Sequence, residues 1–115
     1  MQIVIAKDYS RTPGPRYISE GAYSGEDFRK NVLCPKVKAA IQTGEQLEVV
    51  LDGTHGYGTS FLEEAFGGLI REDKLEYNKI ITVLKIVSVE EDYLVDDIKQ
   101  YLLDASEADE KRNSI

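Results

Sequence analysis

The sequence predicts one α/β domain with a mostly parallel or mixed central sheet packed with helices. Short apolar, β-branched runs alternate with amphipathic helical stripes in the order β(β)αβαβα, a pattern that needs crossover helices between strands. Leu47–Leu51 is nearly continuous in apolar residues, as suits a strand covered on both faces. The chain of 115 residues is 42% apolar and has no interior linker, so one modest core is expected. That domain should span residues 1–105, followed by a disordered acidic and polar tail over 106–115.

Taken in order, Gln2–Ala6 (QIVIA) reads as the first strand. Arg11–Arg16 contains two prolines and a glycine and makes a turn, after which Tyr17–Ile18 resumes as a short second strand. A helix begins at Ser24, which has capping-box spacing to Asp27. Phe28, Val32, Leu33, Val37, Ala40 and Ile41 then form its apolar stripe. Pro35 has no N–H to bond back to Asn31, so a kink or break is expected at Cys34–Pro35. Gly44 suits the C-terminal cap.

Beyond Leu51 comes the turn DGTHGYG, residues 52–58, and then a second helix. Phe61, Leu62, Ala65, Phe66, Leu69 and Ile70 keep helical spacing without a miss. Ile80–Val89 is the next candidate strand. Ser88 and Glu91 repeat the capping-box spacing ahead of a last helix that carries Tyr93, Leu94, Ile98, Tyr101 and Leu102.

Composition narrows the function. The formal net charge is −7, which disfavours a nucleic-acid backbone or an anionic membrane as the partner. Cys34 is the one cysteine, so no internal disulfide or cysteine zinc cluster forms, and it reads as a small core residue. The start of the chain lacks a basic segment ahead of an apolar run, and no stretch approaches the ~20 apolar residues of a membrane span. A cytoplasmic protein is therefore expected, with no signal peptide.

The glycine-rich turn lies where α/β sheets gather their sites, beyond the carboxyl end of a strand. Gly53 to Ser60 has the spacing of a phosphate-binding loop, but Thr59 replaces the lysine that reaches the phosphates. Phe61 likewise stands where a dinucleotide fingerprint needs its third glycine. A helix start can still hold an anion, which leaves nucleotide or anion binding by Gly53–Ser60 as an alternative. An acidic inhibitor or immunity protein blocking a basic target is another. His55 has no nucleophile elbow or metal-ligand spacing beside it and reads as a turn or partner-facing residue. No catalytic residue, metal or cofactor is expected. Ser60 and Glu63 have capping-box spacing, and Thr59 offers a second hydroxyl. Gly67 and Gly68 inside a helix imply that something approaches it closely, with internal packing the favoured cause.

Two segments carry a family resemblance: Ser24-Gly25-Glu26-Asp27-Phe28-Arg29 and Thr59-Ser60-Phe61-Leu62-Glu63-Glu64-Ala65-Phe66-Gly67-Gly68-Leu69. Over residues 14–70 the chain resembles a bacterial STAS-like family of uncharacterised function, related to the anti-sigma-factor antagonists. The resemblance implies a STAS-like fold and a non-enzymatic regulatory domain that binds a protein, such as a histidine-kinase-like ATPase. In the better-known STAS domains a serine at the matching helix start is phosphorylated. By position it corresponds to Thr59, with Ser60 the next hydroxyl, so both are candidate phosphoacceptors. Gly58 stands where those domains have aspartate, and Phe61 where they have glycine. The expected partner-binding residues are Asp52, His55, Tyr57, Thr59, Ser60, Glu63 and Glu64.

Overall fold

The structure is a computed structural model and describes residues 1–113. Three strands, β1 (Gln2–Val4), β2 (Leu47–Val50) and β3 (Leu84–Val87), form one sheet in the order β1-β2-β3. Both pairings are parallel, with Ile3 opposite Val49 and Val49 opposite Ile86. All three strands therefore end on the same side, and the loops that follow them meet there. Ile3, Leu47 and Val49 are fully buried, as expected of strands packed between helices.

Each chain segment between the strands contributes a long helix. The first covers residues 25–43 and the second residues 59–71. Their stripes supply most of the core: Phe28, Leu33, Val37 and Ala40 from the first, Phe61, Leu62, Ala65, Phe66 and Leu69 from the second. Phe28 stacks on Phe61 with ring centroids 5.8 Å apart, and burying two such side chains stabilises the fold by about 1.5–3 kcal/mol each. The last helix, Tyr93–Asn113, adds Leu94, Ile98, Leu102 and Ala105.

Several local expectations need correction. Tyr17–Ile18 is not a strand; Ile18–Glu20 forms a 3₁₀ turn closed by the Glu20 carboxylate accepting from the Tyr17 N–H. The first strand stops at Val4, because Ile5–Asp8 coils into a helical turn whose Asp8 accepts from the Val4 N–H. Helix 25–43 does not break at Pro35. Arg29–Leu33 is a π-helical turn in which the Cys34 N–H bonds to the Arg29 carbonyl, so the bonding register has already shifted before the proline. Gly44 ends this helix in the left-handed conformation at φ +76°, as read from the sequence.

The apolar run from Ile80 is helix first and strand second. Tyr77–Val83 is helical, burying Ile80 and Val83, and only Leu84–Val87 joins the sheet. A short apolar run fits either period, and here the spacing of Ile80 and Val83 matches a helix docked on its neighbours. The segment read as a disordered tail from Ser106 continues the last helix to Asn113. It contains no Gly or Pro, Lys74 pairs with Asp109 at 3.4 Å, and Lys111 and Arg112 complement the helix dipole. Ser114 and Ile115 lie outside the described residues.

Candidate functional site

The turn over residues 52–58 leaves the middle strand and is tied to the loops on both sides. Asp52 accepts from the Val89 and Glu90 N–H groups at 2.8–3.0 Å, beyond β3. Glu90 answers by accepting from the Gly53 N–H at 2.6 Å. On the other side the His55 N–H donates to the Arg11 carbonyl at 2.8 Å. Gly53, at φ +94°, makes the left-handed bend that lets the turn double back. Tyr57 donates its hydroxyl to the Leu51 carbonyl at 2.7 Å and lays its ring against Phe61. Burial of Tyr57 pushes its phenol up to about 12, with nearby Asp52 adding to the effect, so it stays a neutral donor.

The N–H groups that an anion would need are thus largely committed: Gly53 to Glu90, His55 to Arg11 and Gly56 to Thr54 Oγ1. Two carboxylates, Asp52 and Glu90, border the same turn. This is a poor cradle for a phosphate group, quite apart from the missing lysine.

The helix start departs from the expected capping box. Gly58, in extended conformation, is the N-cap, and it has no side chain to cap with. Thr59 and Ser60 are already inside the helix and both are exposed. Thr59 lies beside Tyr101 of the last helix, whose phenol is raised by burial and by Asp97. Elsewhere the predicted caps hold in part. Ser24 accepts from the Asp27 N–H at 3.0 Å, but Asp27 turns away to accept from the Tyr9 hydroxyl and Asn31. Ser88 donates to the Glu91 carbonyl rather than accepting from its N–H.

Glu63 and Glu64 were expected on the partner surface, and the structure places them elsewhere. Glu64 is buried, with its side chain 4% exposed, and meets Arg29, itself 2% exposed, at 3.0 Å. Arg29 also reaches both Asp73 carboxylate oxygens at 2.9 and 3.0 Å. Glu63 joins Arg16 at 2.5 Å and Arg71 at 2.9 Å, while Arg16 and Arg71 both also contact Glu64. Burial works against the charge on Glu63, but the hydrogen bonds from Arg71 and Arg16 outweigh it and hold its carboxyl below the usual range. In this network three arginines meet three carboxylates from two helices and two loops where the long helices cross, and Glu72 adds a fourth, more exposed carboxylate 3.7 Å from Arg71.

The glycines explain how the helices come so close. A Cβ on Gly68 would run into Arg29 Nε, and a Cβ on Gly25 into the Phe61 carbonyl oxygen. One on Gly67 would meet the Glu63 carboxylate. The close approach inferred for Gly67–Gly68 is therefore internal, made by the first long helix and by the network's own carboxylate. Arg29 Nε is left without a hydrogen-bond partner among the described residues, pressed against Gly68. Sequence reasoning missed the network. Its signal was present, because the two motif segments carry opposite charges, Arg29 in one and Glu64 in the other.

Among the described residues, no group of His, Cys, Asp and Glu side chains could hold a metal ion. None of their helices is long and apolar enough to cross a membrane. Of the seven residues expected to meet a partner, His55, Thr59 and Ser60 are exposed. Asp52, Tyr57 and Glu63 are half-buried, and Glu64 is not on the surface.

No curated protein and no solved structure matches the chain. A family model does, over residues 24–94, from the helix cap at Ser24 through β2 and β3 to the start of the last helix. Both motif segments, the crossing they build and the candidate turn lie inside that span, and the chain belongs to the family described as STAS-like domain of unknown function (DUF4325).

Proposed function

We propose that the chain is a non-enzymatic regulatory domain, related in role to the anti-sigma-factor antagonists, that meets a protein partner through its turn and the adjoining helix start. The observation that carries this reading is the state of Thr59 and Ser60: both hydroxyls stand exposed at the first turn of a helix whose cap is a glycine. A hydroxyl needed for capping is committed to the backbone, whereas Ser60 is open to an enzyme and Thr59 shares a side-chain hydrogen bond with Tyr101. The helix start also favours the negative charge a phosphate would bring. The partner surface comprises His55, Thr59 and Ser60 with the exposed edges of Asp52 and Tyr57, held in shape by the bonds to the two flanking loops. An ATP-dependent kinase of histidine-kinase-like type is the proposed partner, in the cytoplasm.

Incubation with candidate kinase-like ATPases and ATP, followed by peptide mass spectrometry, tests the switch. Phosphate on Thr59 or Ser60 is the expected result. Modification confined to the last helix, or none with any candidate, defeats it.

A further inference from the structure

We infer that the outer edge of β3 pairs with the same edge of a second copy of this chain, antiparallel about a two-fold axis at Ile86, which joins the two sheets into one. The two edges of the sheet are finished differently. At β1 the Glu48 N–H donates to the Met1 carbonyl, so Met1 and Ile3 face β2 while the backbone of Gln2 and Val4 points outward. The outward Val4 N–H is closed by the Asp8 carboxylate at 2.7 Å, from the helical turn that ends the strand. A charged side chain on an edge donor keeps a further strand from adding there.

The edge at β3 has no such guard. Leu51 N–H donates to the Val87 carbonyl at 2.8 Å, so Lys85 and Val87 face β2 while Leu84 and Ile86 point outward. Leu84 spends its N–H on the Ile80 carbonyl. Among the described residues, no strand and no side chain takes the Ile86 N–H. The surroundings are apolar. A groove of about 90 Å³ between the strand and the last helix is lined by Ile81, Leu84, Ile86, Ile98, Lys99 and Leu102. Ile81 is exposed, and so is Leu103, one turn after Lys99 on the last helix.

Symmetry and charge select the occupant. Identical edges related by a two-fold axis run antiparallel, because only then do facing residues exchange equivalent bonds. A register centred on Lys85 sets lysine against lysine and needs the Leu84 N–H that Ile80 already holds. A register centred on Ile86 uses free groups: each Ile86 N–H donates to the Ile86 carbonyl of the other copy, and Lys85 lies across from Val87. Leu84 and Ile86 of both copies then share the helix-covered face, so the two apolar grooves adjoin. Lys99 on the groove and Asp92 beyond the strand's end have side chains without a partner among the described residues. Antiparallel pairing turns the lysine end of each edge toward the acidic end of the other, over Glu90, Glu91 and Asp92. That match of unlike charges fits a second copy of this same edge.

Sedimentation of the full chain from about 1 μM to about 1 mM, with hydrogen exchange over the same range, tests the pairing. The mass should rise from 12.9 kDa toward twice that value. Exchange at the Ile86 amide should slow by about tenfold or more, while the Val4 amide, already closed by Asp8, stays constant. Ile86→Pro removes the outward donor without touching a bond inside the sheet, and should stay monomeric with unchanged far-ultraviolet circular dichroism. Lys99→Glu alters only an exposed side chain and should weaken the pair, with Asp92→Lys in the same chain restoring it. A dimer whose Ile86 amide stays unprotected, or a charge exchange that restores nothing, overturns the proposed edge and register. A monomer at every concentration overturns the pairing and leaves the edge to a strand from another protein.

Discussion

The helix crossing and the turn after β2 lie within one stretch of chain, yet they are built in opposite ways. At the crossing every motif residue is committed. Ser24 caps, Gly25 and Gly68 admit their neighbours, Phe28 stacks on Phe61, and Arg29 neutralises Glu64. At the turn the backbone is committed to flanking loops, while His55, Thr59 and Ser60 face outward. The residues that made the family recognisable are thus mainly architectural. What remains for the proposed partner is the set of side chains that the architecture leaves exposed beside it.

Three changes would break or sharpen this contrast. Arg29→Ala has the largest expected effect, because Asp73 and Glu64 Oε2 lose their buried cation and only the other Glu64 oxygen keeps Arg16 and Arg71. Urea denaturation should show a loss of about 3–5 kcal/mol. A loss below about 1 kcal/mol would mean that the network behaves like a surface pair. On the turn, Asp52→Ala removes the acceptor for the Val89 and Glu90 N–H groups, which water can partly replace, and about 1 kcal/mol should be lost. Because the turn is tethered and not part of the core, near-ultraviolet circular dichroism should stay unchanged in that variant.

The smallest effect is in the pH profile. The Glu63 carboxyl lies below its ordinary 4.5, so the stability it contributes is fully present above that value. It is lost as the pH falls through the lower folded-state value. Glu63→Gln should flatten that part of the acid limb of a stability curve while leaving the neutral region nearly level. An unchanged acid limb would place the pH dependence elsewhere in the molecule.

Much of this fold was legible because burial is periodic. The Phe61–Ile70 stripe, the Leu47–Leu51 strand and the Gly44 cap follow from neighbours in sequence, and each is where local pattern puts it. The motif spacing was also enough to point to the family. The position of the turn beyond the end of β2 was equally readable, since strand–turn–helix order alone fixes it.

Tertiary structure decided what local pattern leaves degenerate. Whether Ile80–Val83 is helix or strand depends on what it docks against, and Pro35 stays in its helix because a π turn shifts the preceding bonds. The sequence also could not say that Glu63 and Glu64 face arginines from distant segments, nor that Ser106–Asn113 continues a docked helix. The turn shows the same division. Sequence by itself placed a glycine-rich turn and two hydroxyls at a helix start and removed the nucleotide lysine. Only the packed structure released both hydroxyls from capping, because the chain enters the helix at Gly58, one residue before the first of them.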